Sequence, residues 1–449
     1  LVVHGADGTV DMTWPLRENV RWHDGEPFTS EDVCFTWRFV RDENSQTYNR
    51  DWYLGIIECA MPDEHTVVFT WDDDYAYYAG LFEAILPQHV FGSMTPAEIV
   101  NYTPYNRGDE LVGTGPFKFA EWRSGEYIRV VRNEDYWRGA EYPAIDEIVW
   151  SFLPDSNTRL NAMKARQYHY ARLEPTQVAE VADLEGYTPH LISSNTVLHL
   201  DLSLNSGRSE ILFRDPEVRS ALFHAIDRDA IAEQLMEGTV EVANTPINPT
   251  SPYHNPDVVA SSYDPALAAR MLTAAGWVEG PDGIRMKDGQ RFSFTMLNRA
   301  GVADRIAIAQ VAQAQLKAVG VEVVFETLES AAWTQAWRSL DWEAVVSGWF
   351  LPADPSFTGL YSCGGPNNMT GFCEPALDLV MDASDRALAF DDRKPLLDEA
   401  QRLLADGVRT LPIYYNVIPE LVSDRVGNYR GSGTNFGSFW NLWAWTLEN

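Results

Sequence analysis

The sequence predicts a mixed α/β fold, and three observations about the order of its segments support this. Helical and strand patterns alternate along most of the chain. In the stretch 292–325, two successive predicted strands are separated by more than a dozen residues. Crossovers of this length favour a mixed sheet with right-handed connections and helices on its faces. No short repeat or low-complexity linker interrupts the 449 residues, so we expect the parts of the chain to form one body.

The first block of the chain is predicted to begin with a β-hairpin. Asp7-Gly8 favours a tight reversal between two apolar segments. Ser30 is the predicted N-cap of the helix that follows, because Glu31 and Asp32 then fall in its first turn. The predicted elements are strands 2–3 and 9–16, helix 31–40, strand 64–71 and helix 75–86.

The second and third blocks supply the alternation of helices and strands. Strict alternation over Val197–Leu204 predicts a strand, and Gly276 and Gly320 are predicted to end two helices. The predicted strands are 117–122, 128–132, 145–152, 197–204, 292–297, 321–325 and 411–415. The predicted helices are 155–165, 215–225, 229–237, 266–275, 303–318, 375–387 and 393–405.

Charge excludes two classes of partner. The chain carries 34 Lys+Arg against 65 Asp+Glu, a formal net charge of −31. A field of this sign repels phosphate backbones and anionic lipid, so the sequence argues against a nucleic-acid or membrane-surface role. Apolar residues make up 45% of the chain, which is enough to offset the entropy of folding and argues against disorder.

Four cysteines allow three disulfide pairings. Two local pairs are suggestive, Cys34 with Cys59 and Cys363 with Cys373, and neither has the spacing of a zinc site. At least one disulfide would place the protein in an oxidising compartment, while free buried thiols remain the alternative.

No motif in the sequence predicts catalysis, a metal or a cofactor. The chain lacks a G-x-S-x-G elbow, an H-E-x-x-H helix and a Walker loop. Pro116 stands in Gly113-Thr114-Gly115-Pro116 where a phosphate-cradling loop needs an N–H donor. The nine histidines are scattered without the spacing of metal ligands, so we predict no catalytic residue and no metal site.

Tryptophan is abundant, with 16 residues. Aromatic walls with a few polar groups suit a small-molecule site, and Trp faces stack on sugars and cations. Most of the 16 are expected to be core residues. Trp333, Trp337 and Trp349 lie near predicted turns and are as well suited to a binding site as to the core.

Four groups of motifs follow one another along nearly the whole chain. They are Leu16-Arg17-Glu18-Asn19-Val20 with His23-Asp24-Gly25, Pro27, Thr29 and Asp32-Val33; Gly113-Thr114-Gly115-Pro116-Phe117 with Arg132-Asn133-Glu134-Asp135-Tyr136-Trp137; Asp215 with Val218-Arg219 and Ala225-Ile226-Asp227-Arg228; and Tyr263-Asp264-Pro265 with Ala269, Leu272 and Ala275-Gly276-Trp277. In this order the chain resembles the extracytoplasmic solute-binding proteins of ABC importers, family 5, whose members take up peptides, nickel, opines and oligosaccharides.

The resemblance implies a two-lobed periplasmic-binding-protein-like fold of type II, with mixed sheets flanked by helices and a hinge between the lobes. It assigns residues 1–108 to an additional subdomain, 109–204 with 416–449 to the first lobe, and 205–415 to the second lobe. Strands near 198–204 and 411–415 would be the hinge crossings. We also expect a strand region that the family has before the first motif to be missing at residue 1.

The same resemblance implies a binding role without chemistry on the ligand. The protein would work as a monomer in the periplasm or elsewhere outside the cytoplasm, secreted or lipid-anchored, and would deliver a small solute to an ABC permease in the membrane. The rival class is an acidic secreted hydrolase, which any turnover of a bound ligand would reveal.

The ligand is the open question. Peptide-binding relatives carry W-x-x-D in the second lobe, where the Asp pairs with the peptide's α-ammonium. Here Trp349 is present, Pro352 has the spacing of that Asp, and Asp354 follows two residues later. The default ligand is therefore an oligopeptide with Asp354 as amine partner. The alternative is an oligosaccharide or other polar organic solute stacked on Trp349, Trp333 or Tyr361.

The remaining candidates lie in the first block and in the tail. Tyr48 and Trp52 follow the first helix, where relatives approach the ligand, although a surface loop with one packed aromatic fits equally well. Phe436 and Trp440 lie in the tail, where packing on the first lobe is the alternative to ligand contact. Some peptide-binding relatives have a disulfide at the position of Cys363–Cys373, so the resemblance favours this pair over Cys34–Cys59.

Overall fold

The computed structural model describes residues 2–47, 49–103, 111–205, 207–434 and 436–448. In these ranges the strands are β1 Val2–His4, β2 Val10–Pro15, β3 Ile56–Asp63, β4 Thr66–Trp71, β5 Phe117–Arg123, β6 Tyr127–Arg132, β7 Glu147–Ser151, β8 Tyr170–Arg172, β9 Tyr187–Leu202, β10 Glu241–Val242, β11 Val278–Glu279, β12 Arg285–Lys287, β13 Gln290–Arg291, β14 Ser293–Arg299, β15 Glu322–Leu328, β16 Ala344–Phe350, β17 Thr410–Ser423, β18 Val426–Gly427 and β19 Thr446–Leu447.

The α-helices of the same ranges are α1 Ser30–Arg41, α2 Gln88–Phe91, α3 Pro96–Val100, α4 Ser156–Lys164, α5 Gly207–Phe213, α6 Pro216–His224, α7 Arg228–Ala230, α8 Pro265–Ala274, α9 Ala303–Ala318, α10 Ser330–Arg338, α11 Thr358–Tyr361, α12 Pro375–Arg386 and α13 Phe390–Asp406. Short 3-10 helices, among them Arg50–Tyr53 and Ala76–Gly80, and a π-helical turn are also present. Within these ranges no helix combines the length and apolar character needed to cross a membrane.

The first block forms a four-stranded antiparallel sheet in the order β1-β2-β4-β3, with α1 packed on it. The predicted hairpin is confirmed, with His4 opposite Val10. The N-cap of α1 is Thr29 rather than Ser30. Thr29 accepts the N–H of Glu31, and its own N–H donates to Asp32. Two backbone N–H groups at the start of the helix, which have no partner within the helix, are satisfied in this way.

The main sheet is mixed and seven-stranded, which confirms the predicted α/β class. Its order is β10-β17-β9-β16-β14-β15, and β8 also pairs with β17. Strand β14 runs parallel to β15 and to β16, while the other pairs are antiparallel. Helix α9 is the crossover from β14 to β15, with the bounds 303–318 that its periodicity predicts.

The core of the main sheet lies on the face that α6, α8 and α9 cover. Leu198, Leu200 and Leu202 alternate along β9 towards this face and are each at most 2% exposed. Phe213 and Phe294 pack edge to face beside them, with ring centroids 5.2 Å apart. The residues between these leucines are buried as well, since His199 and Asp201 are 2% and 4% exposed, so the central strand is covered on both faces.

Strands β9 and β17 are much longer than the sequence predicts, 16 and 14 residues. One end of the pair lies next to β16 and β10, and the other end next to β8. The ladder is irregular between Pro412 and Tyr414 and between Tyr415 and Val417. Period-two alternation in the sequence breaks where the ladder is irregular. The pattern therefore identifies only one half of each strand.

Asn195 of β9 lies opposite the irregularity between Tyr415 and Val417, and its backbone groups bind two other segments. Its N–H donates to the carbonyl oxygen of Gly433 at 3.2 Å, and its own carbonyl accepts the N–H of Leu351 at 3.0 Å. The returning tail and the chain that follows β16 are therefore both fastened at one point of β9.

Two predicted helices are wrong in part. The segment 75–86 contains only the 3-10 helix Ala76–Gly80, because the chain then turns through Phe82, whose φ is +58°. The segment 229–237 is the single turn α7 followed by a π-helical turn, Ile231–Leu235. In both segments the apolar pattern predicts a helix, but the local backbone does not continue as one.

Both of the suggested cysteine pairs form disulfides. Cys34 of α1 is joined to Cys59 of β3, with Cα atoms 5.8 Å apart. Cys363 is joined to Cys373, with Cα atoms 4.5 Å apart. The first crosslinks the core of the four-stranded sheet, and the second closes a loop directly after α11.

Gly433 approaches β9 so closely that we predict a large cost for any side chain. A Cβ atom at this position would lie 1.9 Å from the carbonyl oxygen of Ser193 and 2.7 Å from the Cα atom of Ser194. Both obstacles are backbone atoms of the central sheet. We expect Gly433→Ala to lower the free energy of unfolding by about 1–3 kcal/mol, measured by urea denaturation.

Gly115→Ala is the matched control, because a Cβ atom there meets nothing within 4 Å. We expect that variant to unfold at the urea concentration of the unchanged protein. Equal midpoints for the two variants would contradict the packing of the tail against β9.

Candidate ligand cavity between Trp52 and Trp349

A cavity of about 300 Å³ lies where the first block meets the segment after β16. We call it the Trp52–Trp349 cavity. Its lining residues are mostly apolar or aromatic and contain no charged side chain: Trp52, Tyr77, Trp349, Phe350, Leu351, Pro352, Ser356, Gly359, Leu360 and Asn367. Its volume is at the lower end of the range for small-molecule sites.

The wall from the first block consists of Trp52 and Tyr77. Trp52 lies in the 3-10 helix Arg50–Tyr53, and its ring stands edge to face against Tyr77, with centroids 5.2 Å apart. The helix is held by its neighbours, because Tyr53 accepts the N–H of Phe82 at 2.8 Å and Arg50 Nε donates to the carbonyl of Arg41 at 2.8 Å. Both rings are therefore fixed before any ligand arrives.

The opposite wall is built around Trp349, near the end of β16. Two further tryptophans form a file behind it: Trp333 stacks on Trp337, and Trp337 contacts Trp349, each with centroids 5.6 Å apart. Leu351 and Phe357 anchor the chain that follows, at 4% and 0% exposed, in the core formed by α12 and α13. Trp349 is thus supported from behind and presents its free surface to the cavity.

Polar groups enter the cavity at two points. Asn367 is fixed by its N–H, which donates to the carbonyl of Gly359 at 2.9 Å. Ser356 donates its hydroxyl to Asp385 at 2.8 Å, and Thr358 donates to the same carboxylate oxygen at 2.6 Å. Burial raises the pKa of Asp385, although these hydroxyl groups and Arg393 favour its charged form.

Asp354, the predicted amine partner, is ion-paired within its own chain. Its carboxylate binds Nη1 of Arg393, which is 1% exposed, and Nη2 of the same guanidinium donates to the carbonyl of Pro355 at 2.7 Å. Burial raises the pKa of Asp354, and the Arg393 charge opposes the shift. Asp354 is not among the lining residues, whereas Pro352, at the expected spacing, is.

A different carboxylate, which is not itself a lining residue, lies close to Gly359 in the cavity wall. Asp51 precedes Trp52, and a Cβ atom on Gly359 would lie 3.9 Å from its Oδ2. The residue keeps an exposed surface, while desolvation of its carboxyl group raises its pKa. Burial likewise raises the pKa of Tyr75, and the nearby charges of Asp385 and Asp51 add to the shift.

The other predicted site residues are not brought to this cavity. Trp333 is 7% exposed and lies two rings behind the wall, and Tyr361 packs against Phe357. Phe436 and Trp440 are exposed on the tail, where Trp440 donates to the carbonyl of Arg430. Tyr48 lies outside the described residues.

Sequence reasoning missed Tyr77, Gly359 and Asn367. Tyr77 lies in an aromatic-rich segment, 75–78, which is the only signal that could have singled it out. Gly359 and Asn367 flank Cys363 and become neighbours only because the loop folds back on itself. Among the described residues no group of three or more His, Cys, Asp or Glu side chains is placed to hold a metal ion.

Comparison with known proteins shows which family the chain belongs to. Residues 6–371 match the profile of the bacterial extracellular solute-binding proteins, family 5. The oligopeptide-binding protein AppA of Bacillus subtilis is 30% identical over 358 residues, which cover 78% of this chain and 64% of AppA. Protein XP55 of Streptomyces lividans is 31% identical over 404 residues, which cover 88% of this chain and 71% of XP55.

The fold agrees with a solved structure over the whole chain. The structure of B. subtilis AppA in complex with a nonapeptide has a TM-score of 0.86 and 24% identity, and the match covers 100% of this chain and 89% of that one. In sequence, the chain spans slightly less than two thirds of the length of AppA. By its profile match and its relatives, the chain belongs to the bacterial extracellular solute-binding proteins of family 5.

Proposed function

We propose that this chain is the ligand-capturing component of an ABC importer and that it binds a short peptide in the Trp52–Trp349 cavity. The observation that carries the proposal is the cavity itself, with rigid aromatic walls from two distant parts of the chain and fixed polar groups from Ser356 and Asn367. The similarity to AppA, an oligopeptide-binding protein, supports a peptide as the ligand class.

Closure about the strands β9 and β17 is the proposed mechanism. The residues of 1–108 and 205–415 meet at the cavity, and an ion pair between Asp73 and Arg386 at 3.0 Å joins them beside it. A ligand that contacts both walls gains more contacts in the closed state than in the open one. Differential affinity of this kind is sufficient to shift the equilibrium towards closure.

In this proposal the protein works outside the cytoplasm as a monomer. It releases the bound ligand to a permease in the membrane. No chemical step on the ligand is part of it. The two disulfides are consistent with an oxidising compartment. The division into a subdomain, 1–108, a first lobe, 109–204 with 416–449, and a second lobe, 205–415, belongs to the same proposal. The cavity forms where the subdomain meets the second lobe.

Titration calorimetry on protein freed of ligand by unfolding and refolding tests the proposal. The panel contains peptides of two to five residues with free termini, and oligosaccharides of two to four units, since Trp rings also stack on sugars. We expect saturable heat with peptides at about one site per chain and none with the sugars. Heat from the sugars alone would assign the cavity to oligosaccharides, and cleaved peptide in mass spectra would point to an enzyme.

A further inference from the structure

The hydroxyl group of Ser356 has its hydrogen committed to a buried carboxylate. Ser356 lines the Trp52–Trp349 cavity, and its Oγ donates to Oδ2 of Asp385 at 2.8 Å. A serine hydroxyl has one hydrogen to donate and two lone pairs that can accept. Because the hydrogen is directed to Asp385, Ser356 has only lone pairs to offer to a ligand.

The groups around Asp385 hold it as an acceptor. Thr358 donates to the same Oδ2 atom at 2.6 Å, and Nη2 of Arg393 lies 3.9 Å from Oδ1. The Oδ1 atom is buried without a hydrogen-bond partner among the described residues, so a proton placed there would find no acceptor. The two hydroxyl groups and the guanidinium therefore favour the carboxylate, although burial and the Asp382 charge raise its pKa.

The backbone on both sides of Ser356 is fixed as well. The carbonyl of the buried Pro355 accepts Nη2 of Arg393 at 2.7 Å, and Phe357 is 0% exposed. The lone pairs of Ser356 are thus in place before a ligand arrives, and binding does not have to order them.

Asn367 complements Ser356 in the same cavity. Its backbone N–H is taken by the carbonyl of Gly359, while its side-chain amide forms no hydrogen bond with another described residue. That amide can donate to a ligand carbonyl, and Ser356 can accept from a ligand N–H. A peptide bond carries one group of each kind, and none of the lining residues is charged.

Resting on the proposed function, we propose that the cavity selects its ligand by an uncharged donor, a backbone N–H of the peptide that donates to Oγ of Ser356. In this proposal Asp385 is the positioning residue that makes Ser356 an acceptor. A ligand with an oxygen atom in place of the N–H would set two acceptors against each other between aromatic walls. An acceptor buried without a partner costs more free energy than a satisfied hydrogen bond contributes.

The test compares amides with esters of the same shape by calorimetry. One pair is the tightest-binding peptide of the panel and its analogues in which one backbone N–H at a time is replaced by oxygen. The other pair is N-benzylacetamide and benzyl acetate. In the unchanged protein we expect the amide to bind at least about tenfold more tightly than the ester, for the peptide at one backbone position.

Two substitutions of Ser356 show whether its hydroxyl group is the acceptor. Ser356→Ala should bring amide and ester to within about threefold of each other by weakening only the amide. Ser356→Thr keeps a hydroxyl group and should keep the preference. A full preference in Ser356→Ala, or its loss in both variants, would overturn the assignment.

Asp385→Leu tests the positioning role, and Thr358→Val is its matched control. Without the carboxylate, the hydrogen of Ser356 is free to turn towards the ligand, so the preference should fall to within about threefold. Thr358→Val removes a hydrogen bond to the same carboxylate oxygen but changes no lining residue, and should keep the full preference. Equal preferences in these two variants would reject Asp385 as the positioning residue. Thermal unfolding shows whether each variant is folded, and if Asp385→Leu is not, the Ser356 and Thr358 variants decide.

The two small probes distinguish this inference from the proposed function. Protein that binds no peptide, yet prefers N-benzylacetamide to benzyl acetate through Ser356, would keep the donor-selective site and reject the peptide. Protein that binds the peptide and all of its ester analogues equally would keep the peptide and reject the donor-selective site. Protein that binds no peptide and does not distinguish the two small probes would reject both.

Discussion

Replacing Trp349 by Ala is expected to weaken peptide binding by about 30-fold or more, because the variant loses one complete wall of the cavity. The Trp349 ring is supported by Trp337, which in turn stacks on Trp333, so it needs no ordering when the ligand binds. The alanine variant leaves a gap that the neighbouring rings, fixed in the file, do not fill. Calorimetry with the tightest-binding peptide of the panel measures the effect.

Trp122→Ala is the control for this variant. Trp122 lies on β5, is 41% exposed and does not line the cavity. We expect its removal to leave the affinity within about twofold of the unchanged protein. A Trp349→Ala variant that binds the peptide as tightly as the Trp122→Ala control would place the ligand elsewhere.

Replacing Arg393 by Met is expected to lower the free energy of unfolding by about 3–5 kcal/mol. The substitution keeps an unbranched apolar stem, but it leaves Asp354 and Asp385 without the guanidinium that balances them. It also removes the hydrogen bond to the carbonyl of Pro355. Urea denaturation, at an unchanged slope, measures the loss.

Two further variants check the cause of that loss. Adding Asp354→Asn and Asp385→Asn to Arg393→Met should restore part of the stability, because no unpaired carboxylate then remains. Arg402→Met removes an exposed guanidinium from the same helix, one that pairs with Glu399 and Asp406 at the surface, and should leave the midpoint nearly unchanged. Equal losses for Arg393→Met and Arg402→Met would contradict the buried ion-pair account.

Sequence patterns predict the helices and strands whose limits are set by neighbouring residues in the chain. Helix α9 has the predicted bounds because its apolar spacing is regular and Gly320, at φ +84°, ends it. Strands β9 and β17 are predicted only in part, and in β9 the residues Ser193, Ser194 and Asn195 interrupt the alternation at a ladder irregularity. Their pairing with each other and with β8 comes from tertiary contacts that no local window contains.

The candidate site shows the same division. Trp52 and Trp349 are both candidate ligand-binding residues by sequence, but their positions in the chain do not indicate that they line the same cavity. Asp354 is the acid nearest to the expected spacing, but the sequence does not reveal that Arg393, 39 residues later, binds it. Asp51 is one of 65 acidic residues, and only its position beside Gly359 distinguishes it.

Mass spectrometry of the solute that co-purifies with the chain tests the central claim most directly. From the unchanged protein, denaturation should release an intact peptide at about one per chain, and the released peptide should rebind without change. A Trp52→Ala/Trp349→Ala double variant, purified in the same way, should carry none. The same solute retained in equal amount by the double variant would contradict capture in the Trp52–Trp349 cavity.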